Sequence, residues 1–227
     1  MDSYFINNGA PVAAGILNYD GILKSTNNSF VDNKASADGG GAAIYNFRRS
    51  AALIKNTVKY NTAPKGGAIN NYYGYMSLII CSLYRNSAST GGGIYTYGSS
   101  LSISGTKFIS NRATTGGAIT AILSTMKQSS NTFTNNYAKS KGGAIYNVRS
   151  TLAISKSNLN SNQALNGGAI YNHYGKLYAT SNTFKNNAAS PYGGALYNYF
   201  GNVSFKANYL AGNGRYGVYN VHGTIST

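Results

Sequence analysis

Apolar positions in this chain recur in three columns at fixed intervals. The first column is aliphatic: Ile16, Ile44, Ile69, Ile94, Ile119, Ile145, Ile170, Leu196 and Val218, about 25 residues apart. Seven residues after each comes a second, mostly apolar column of Leu23, Ala51, Met76, Leu101, Met126, Leu152, Leu177, Val203 and Ile225. Seven further on lies a third: Phe30, Val58, Leu83, Phe108, Phe133, Leu159, Phe184 and Leu210, with Phe5 opening the series. Asn stands three residues after every member of this third column, from Asn8 to Asn213. Ala follows two later, from Ala10 to Ala189, until Arg215 breaks the pattern. The two seven-residue intervals never vary, and every length change falls between the Phe/Leu column and the next Ile. Insertions collect where a chain turns over its surface, so one corner of each repeat is soft and the others are fixed.

Helical repeats need apolar residues at i, i+3, i+4 and i+7 among helix formers. Here the connecting residues are Gly, Asn, Ser, Thr and Tyr, which favour turns and strands. The local apolar pattern has period two, as in Leu101-Ser102-Ile103 and Leu152-Ala153-Ile154. A repeat of this length fits three short strands and three turns, and it buries its apolar side only by stacking on its neighbours. The predicted fold is an all-β, right-handed parallel β-helix of about nine rungs forming a single domain over 1–227. Rungs about 4.8 Å apart give a rod roughly 43 Å long. The Asn column then becomes an interior amide ladder. The Gly-Gly pair before each Ile supplies positive φ or a tight corner.

Two strings recur in fixed phase, F-x-x-N-x-A and G-G-A-I. Clear copies are Phe108–Ile119, Val58–Ile69 and Leu159–Ile170. Together they resemble the repeats of the chlamydial polymorphic outer-membrane proteins, and equally those of adhesin-like surface proteins of methanogenic archaea. The resemblance covers essentially the whole chain. It implies a β-helix displayed at the cell surface or outside the cell with a role in adhesion, as part of a longer protein, and it carries over no catalytic residue. Relative to that family, the sequence shows no signal peptide, translocator barrel or wall anchor.

Distance from the Ile column places the aromatic residues. One residue after Ile come Tyr45, Tyr95, Tyr146, Tyr171, Tyr197 and Tyr219; three after come Tyr19, Phe47, Tyr72, Tyr97, His173 and Tyr199. Strand alternation puts both positions opposite Ile. If Ile is inside, a stripe of Tyr45, Phe47, Tyr72, Tyr95, Tyr97, Tyr146, Tyr171, Tyr197, Tyr199 and Tyr219 lies outside as a candidate binding face. Tyrosine supplies amphipathic contact area at low entropic cost. The same rings also stabilise a sheet through same-face stacking with no ligand at all.

Charge sharpens this picture. The 227 residues carry 19 Lys and Arg, four acids and a net charge of +15. The acids are Asp2, Asp20, Asp32 and Asp38, so 39–227 holds no carboxylate side chain. Glycoside hydrolysis usually needs a carboxylate pair, and a Ser-His-Asp triad needs an acid to orient its His. One Cys and two His cannot supply a zinc site, and hard-cation sites need clustered carboxylates. The expectation is a binding or structural module with no cofactor and no metal, rather than an enzyme. A lyase using only Lys, Arg and Tyr against acidic polysaccharide stays open. No run is apolar enough to span a membrane as a helix. From three residues before Ile to three after, the only charge is Arg215. The chain therefore pairs a neutral, tyrosine-rich face with two basic, polar ones. The bases form no column and no nucleic-acid motif accompanies them, which argues against a nucleic-acid partner. The partners expected are a glycan or protein on a cell surface, or copies of the chain itself in a filament or coat.

Overall fold

A computed structural model describes residues 2–38 and 40–227. The described chain contains strands and turns and no helix. It winds as a β-solenoid of about nine turns, and its strands stack into four parallel sheets. One rung shows the plan: Ile69–Tyr72, Tyr75–Ile79, Ser82–Tyr84 and Ser87–Thr90. These strands lie in what are called here the Ile, Leu, Phe and Ala sheets. The register is like on like: Ile69 pairs with Ile44 and Ile94, Phe5 with Phe30, and Leu152 with Leu177.

Each rung but the last therefore has four strands where three were expected. The fourth lies in the segment between the ladder Asn and Gly-Gly, read from sequence as a soft corner. It carries Ala, Ser, Thr and Lys rather than alternating aliphatics, so the apolar pattern does not announce it. The length variation sits there, as expected, and part of it is absorbed by irregularities inside the sheet. Register shifts occur between Ala113 and Thr115, Tyr137 and Lys141, and Ala164 and Asn166. A bulge takes up an added residue without moving the flanking columns. The longest connection, Phe30 to Ile44, includes Gly39, which lies outside the described residues. The Ala sheet has eight strands against nine in each of the others, because the last turn, without its Gly-Gly, forms none there.

The three apolar columns fill the interior. Phe30, Phe108, Phe133, Phe184, Ile44, Ile94 and Met76 are all fully buried. Phe108 stacks on Phe133 with ring centroids 4.7 Å apart, the offset expected for parallel rungs.

The nine-member Asn column forms the expected ladder, and its bonding is complete. From Asn8 to Asn187, the side-chain N–H of each Asn donates to Oδ1 of the Asn in the next rung at 2.9–3.0 Å. The same Oδ1 accepts the backbone N–H of the previous Asn at 2.9–3.1 Å. From Asn33 to Asn213, the other amide hydrogen reaches back to a Phe-column carbonyl one rung earlier at 2.8–3.1 Å. An interior amide thus satisfies both its hydrogens and its oxygen without water, which is what makes it tolerable in an apolar core.

The corners follow from this ladder. The residue before each ladder position turns the chain through left-handed backbone, as at Tyr60 (φ 62) before Asn61 and Ser110 (φ 56) before Asn111. Left-handed backbone costs an L-residue about 1–2 kcal/mol. The N–H to Oδ1 bond of the next residue offsets that cost. The Gly-Gly pair divides the two roles expected of it. Gly91 supplies positive φ (+66), while a Cβ on Gly92 would sit 2.3 Å from the Gly117 carbonyl oxygen of the next rung. Only glycine lets the rungs close to stacking distance there.

Two interior amides should respond oppositely to the same change. In Asn136→Leu, the Asn111 backbone N–H and one Asn111 side-chain N–H lose their partner, and the Phe108 carbonyl loses one donor. Stranding several buried groups should cost at least about 3 kcal/mol. Gln128 is equally enclosed, but its Oε1 has no hydrogen-bond partner and its amide meets only Met126 Sδ. Gln128→Leu should therefore raise stability by about 1 kcal/mol. Chemical denaturation of both variants checks the pair, and two changes of the same sign would contradict the account.

Candidate functional site

The Ile sheet places the ten candidate residues as strand alternation requires. Ile44, Ile69, Ile94, Ile119, Ile145, Ile170 and Leu196 are fully buried. Tyr45, Phe47, Tyr72, Tyr95, Tyr97, Tyr146, Tyr171, Tyr197, Tyr199 and Tyr219 stand on the opposite side of the sheet. They form two groups. In the first, Tyr19 stacks on Phe47 (4.9 Å) and Tyr72 on Tyr97 (4.9 Å), with Phe47 and Tyr72 6.1 Å apart. In the second, Tyr146 meets Tyr171 edge-on (5.5 Å) and Tyr171 stacks on Tyr197 (4.8 Å). Tyr197 tilts against Tyr219 at 5.3 Å. Thr120 and Ile122 separate the groups.

Opposite Ile does not mean open to solvent. Tyr95 and Tyr171 are only 5% exposed, so the outside placement needs correction for these two. The other eight are half-buried. Their cover comes from the last residues of the Ala-sheet strands. The Lys65 ammonium lies 5.9 Å from the Tyr95 ring centre, and that of Lys141 lies 5.8 and 5.4 Å from Tyr146 and Tyr171. Tyr192 stacks on Tyr219 at 4.4 Å. The face is thus neutral along its own strands, but cations reach in from its margin to sit over the rings. Three other sheets complete the rung, rather than the two polar faces expected.

Further exposed rings belong to residues that the strand register did not flag. Tyr73, Tyr174 and Phe200, with His222, occupy the corner four residues after Ile, where the chain passes towards the Leu sheet. They are exposed by 52%, 47% and 41% for the first three. Tyr174 stacks on Phe200 (5.1 Å) and Phe200 on His222 (4.8 Å), and Tyr73 meets Tyr72 and Tyr97 edge-on. All four have left-handed backbone, with φ between 52° and 54°. Gly, Asn and Asp usually take such positions, and a bulky residue there is uncommon. The signal in the sequence was their common offset from the Ile column.

His173 is half-buried among these rings. Its ring lies 4.9 Å from Tyr174 and 5.4 Å from Tyr199, and Nδ1 is 3.4 Å from the Tyr146 hydroxyl. Burial, then Lys141 and Arg149, hold its pKa below the ordinary histidine value. Cys81 is buried with the core, in a corner column whose other members are polar. Its neighbours there are Asn56 and Thr106, and its Sγ lies 3.4 Å from the Leu53 carbonyl. Burial pushes its thiol pKa up.

A second amide ladder lies directly beneath the aromatic stripe, two residues after Ile. Asn18 donates to Asn46, Asn46 to Asn71, Asn147 to Asn172, Asn172 to Asn198 and Asn198 to Asn220, at 2.6–2.8 Å. Thr96 and Ala121 interrupt it, and Asn147 Oδ1 is left without a partner above Ala121. This break lies beside the gap between the aromatic groups. The Asn of the repeated I-Y-N string was the available sign.

No group of three His, Cys, Asp or Glu side chains gathers among the described residues. The described ion pairs are Arg49–Asp20 and Lys65–Asp38, each at 3.2 Å.

Comparison with known proteins returns one family. Residues 132–148 and 183–199 match the model of the Chlamydia polymorphic membrane protein (Chlamydia_PMP) repeat. Both segments run from the Phe sheet through the Ala sheet to the end of the Ile strand, so the two matches fall at corresponding places in two rungs. No curated protein and no solved structure matches the chain.

Burial, with Tyr72, Tyr97 and Asp38 adding to it, pushes the Tyr95 hydroxyl up to about 12. Burial raises Tyr171 too, reinforced by Tyr197, Tyr146 and Tyr199. A phenol whose pKa is higher when folded stabilises the fold fully below its unfolded pKa of about 10, and that contribution disappears as pH rises through the folded value. The thermal midpoint should therefore fall as pH rises above about 10, and fall less in a Tyr95→Phe, Tyr171→Phe double variant. Melting curves from about pH 8 to 11.5 check this; an identical fall in both proteins would contradict it.

Proposed function

We propose that the chain is a segment of a surface-displayed, adhesin-like solenoid that binds a glycan or protein through its aromatic stripe. It acts as a binding module rather than an enzyme. The repeat match and the solenoid fit a surface-associated repeat protein. The observation that carries the binding role is the row of exposed aromatics held in left-handed backbone at Tyr73, Tyr174 and Phe200. Stability alone favours Gly or Asn at these corners. Bulky rings there accept backbone strain, and strain of this kind gathers at functional positions. Ring faces and edges suit sugar rings and the apolar anchors of a protein partner.

In this reading Tyr73, Tyr174 and Phe200 make first contact, with Tyr45, Phe47, Tyr72, Tyr97, Tyr146, Tyr197, Tyr199 and Tyr219 forming the half-buried wall behind them. Tyr95 and Tyr171 support that wall from beneath. The Ile122 gap divides the stripe into two binding patches.

A Tyr73→Asn, Tyr174→Asn, Phe200→Asn variant tests the reading cleanly, because Asn relieves the backbone and the fold should hold or gain stability. On a glycan array and on intact cells, the wild type should bind and the triple variant should lose at least about tenfold. That is the order expected for removing interfacial aromatic anchors. Equal binding by both, or none by the wild type, would overturn the proposal. Sedimentation of the same preparations over a concentration range separates it from self-association, which would appear as growing species that the variant leaves unchanged.

A further inference from the structure

A second candidate surface lies on the Ala sheet, away from the aromatic stripe. The outer side of this sheet is grooved. A shallow, open hollow of about 710 Å³ runs from Lys34 to Lys139, and a smaller one of about 260 Å³ continues from Tyr137 to Ser190. The two share Tyr137 and Lys139, so the channel follows the solenoid axis across most of its length. Its floor is the column of buried alanines, such as Ala63, Ala113 and Ala164. Its walls are the rows on either side of that column.

Three cations stand on the walls: Lys34, Arg112 and Lys139. None has a carboxylate partner among the described residues. Arg112 lies 5.8 Å from the Tyr137 ring centre, which holds its guanidinium at the groove. The acids near the channel, Asp32 and Asp38, are confined to its Lys34 end, and Asp38 is taken by Lys65. Beyond that point the sequence has no carboxylate at all. Hydroxyls such as Thr62, Ser87 and Thr114 line the remaining wall. The hollows of the Leu sheet also run together, sharing Ser102, Lys127 and Tyr178, but two cations, Lys127 and Lys176, line them against three here.

We propose that this channel binds a linear acidic polysaccharide laid along the solenoid axis. Three observations select that class. The positive walls with no competing acid suit a polyanion. Rows of hydroxyls suit a ligand rich in hydroxyls of its own, and the rung spacing of about 4.8 Å is close to one hexose unit in an extended chain. Single-stranded nucleic acid calls for successive aromatic platforms, and the channel has one ring, at Tyr137. The site is independent of the aromatic stripe, so either can fail without the other.

The test uses a fluorescent oligogalacturonate of about a dozen units, with neutral dextran and single-stranded DNA as comparison probes. Two charge-matched variants are compared with the wild type. One is Lys34→Ser, Arg112→Ser, Lys139→Ser in the channel. The other is Lys55→Ser, Lys156→Ser, Lys206→Ser on and beside the corner between the Leu and Phe sheets. All six residues are exposed, so both variants should fold. The channel variant should lose about tenfold or more in affinity, and its log–log salt dependence should flatten by about 2. The corner variant and the Tyr73, Tyr174, Phe200 variant should stay within about twofold of wild type. Equal losses in the two charge-matched variants would reduce the effect to net charge and overturn the site. So would no binding of oligogalacturonate by wild type, or tighter binding of DNA through the same three residues.

Discussion

Every rung of this protein finds its hydrogen-bond partners in the rungs above and below, and the asparagine ladder is the clearest form of that dependence. The ladder amide uses its oxygen twice and each hydrogen once, all across rung boundaries. Nothing within one rung could replace these partners. The ladder fixes register, because a slipped rung would leave a buried amide unpaired. It also sets the corner, because its backbone N–H must point along the axis to the next Oδ1. The left-handed residue before it and the glycine pair that closes the turn follow from that demand. Apolar columns supply the driving force for stacking, but they tolerate exchange among Phe, Val and Leu. The ladder tolerates none in nine rungs.

That difference explains what the sequence made legible. The three apolar columns and the Asn column recur at fixed intervals because they are stacked on themselves, so periodicity alone located them. The Ala strand escaped because its outward residues face the channel, its inward ones are small, and bulges blur its spacing at Lys141 and Asn166. The second amide column was printed in each I-Y-N string, but its interruption at Thr96 and Ala121 hid its role. Strand parity placed the tyrosines on the correct side of the sheet. It could not show that Tyr95 and Tyr171 are roofed by Lys65 and Lys141, because that contact joins the ends of Ala-sheet strands to rings on the Ile sheet. Nor could parity find Tyr73, Tyr174 and Phe200, which lie at a corner where alternation stops.

The surface divides by the same logic. Inward positions are conscripted by stacking, so chemistry is free to vary only on outward rows and at corners. On the Ile side those positions collect rings and exclude charge, and the few cations present rest on ring faces. On the Ala side they collect small hydroxyls and isolated cations around a channel. One solenoid thus presents two surfaces of different character along a single axis, and neither needs a catalytic carboxylate.

The most direct measurement of the central claim is hydrogen exchange at the ladder itself. The backbone N–H groups of Asn86, Asn111 and Asn136 bond to side-chain oxygens rather than to a strand partner, at corners beside left-handed residues. If the ladder holds the fold, these protons and the paired side-chain amide protons exchange with the slowest class, at the rate of Ile94 and Ile119 in the core of the Ile sheet. Exchange within about tenfold of a free chain at these corners, with the Ile strands still protected, would contradict it.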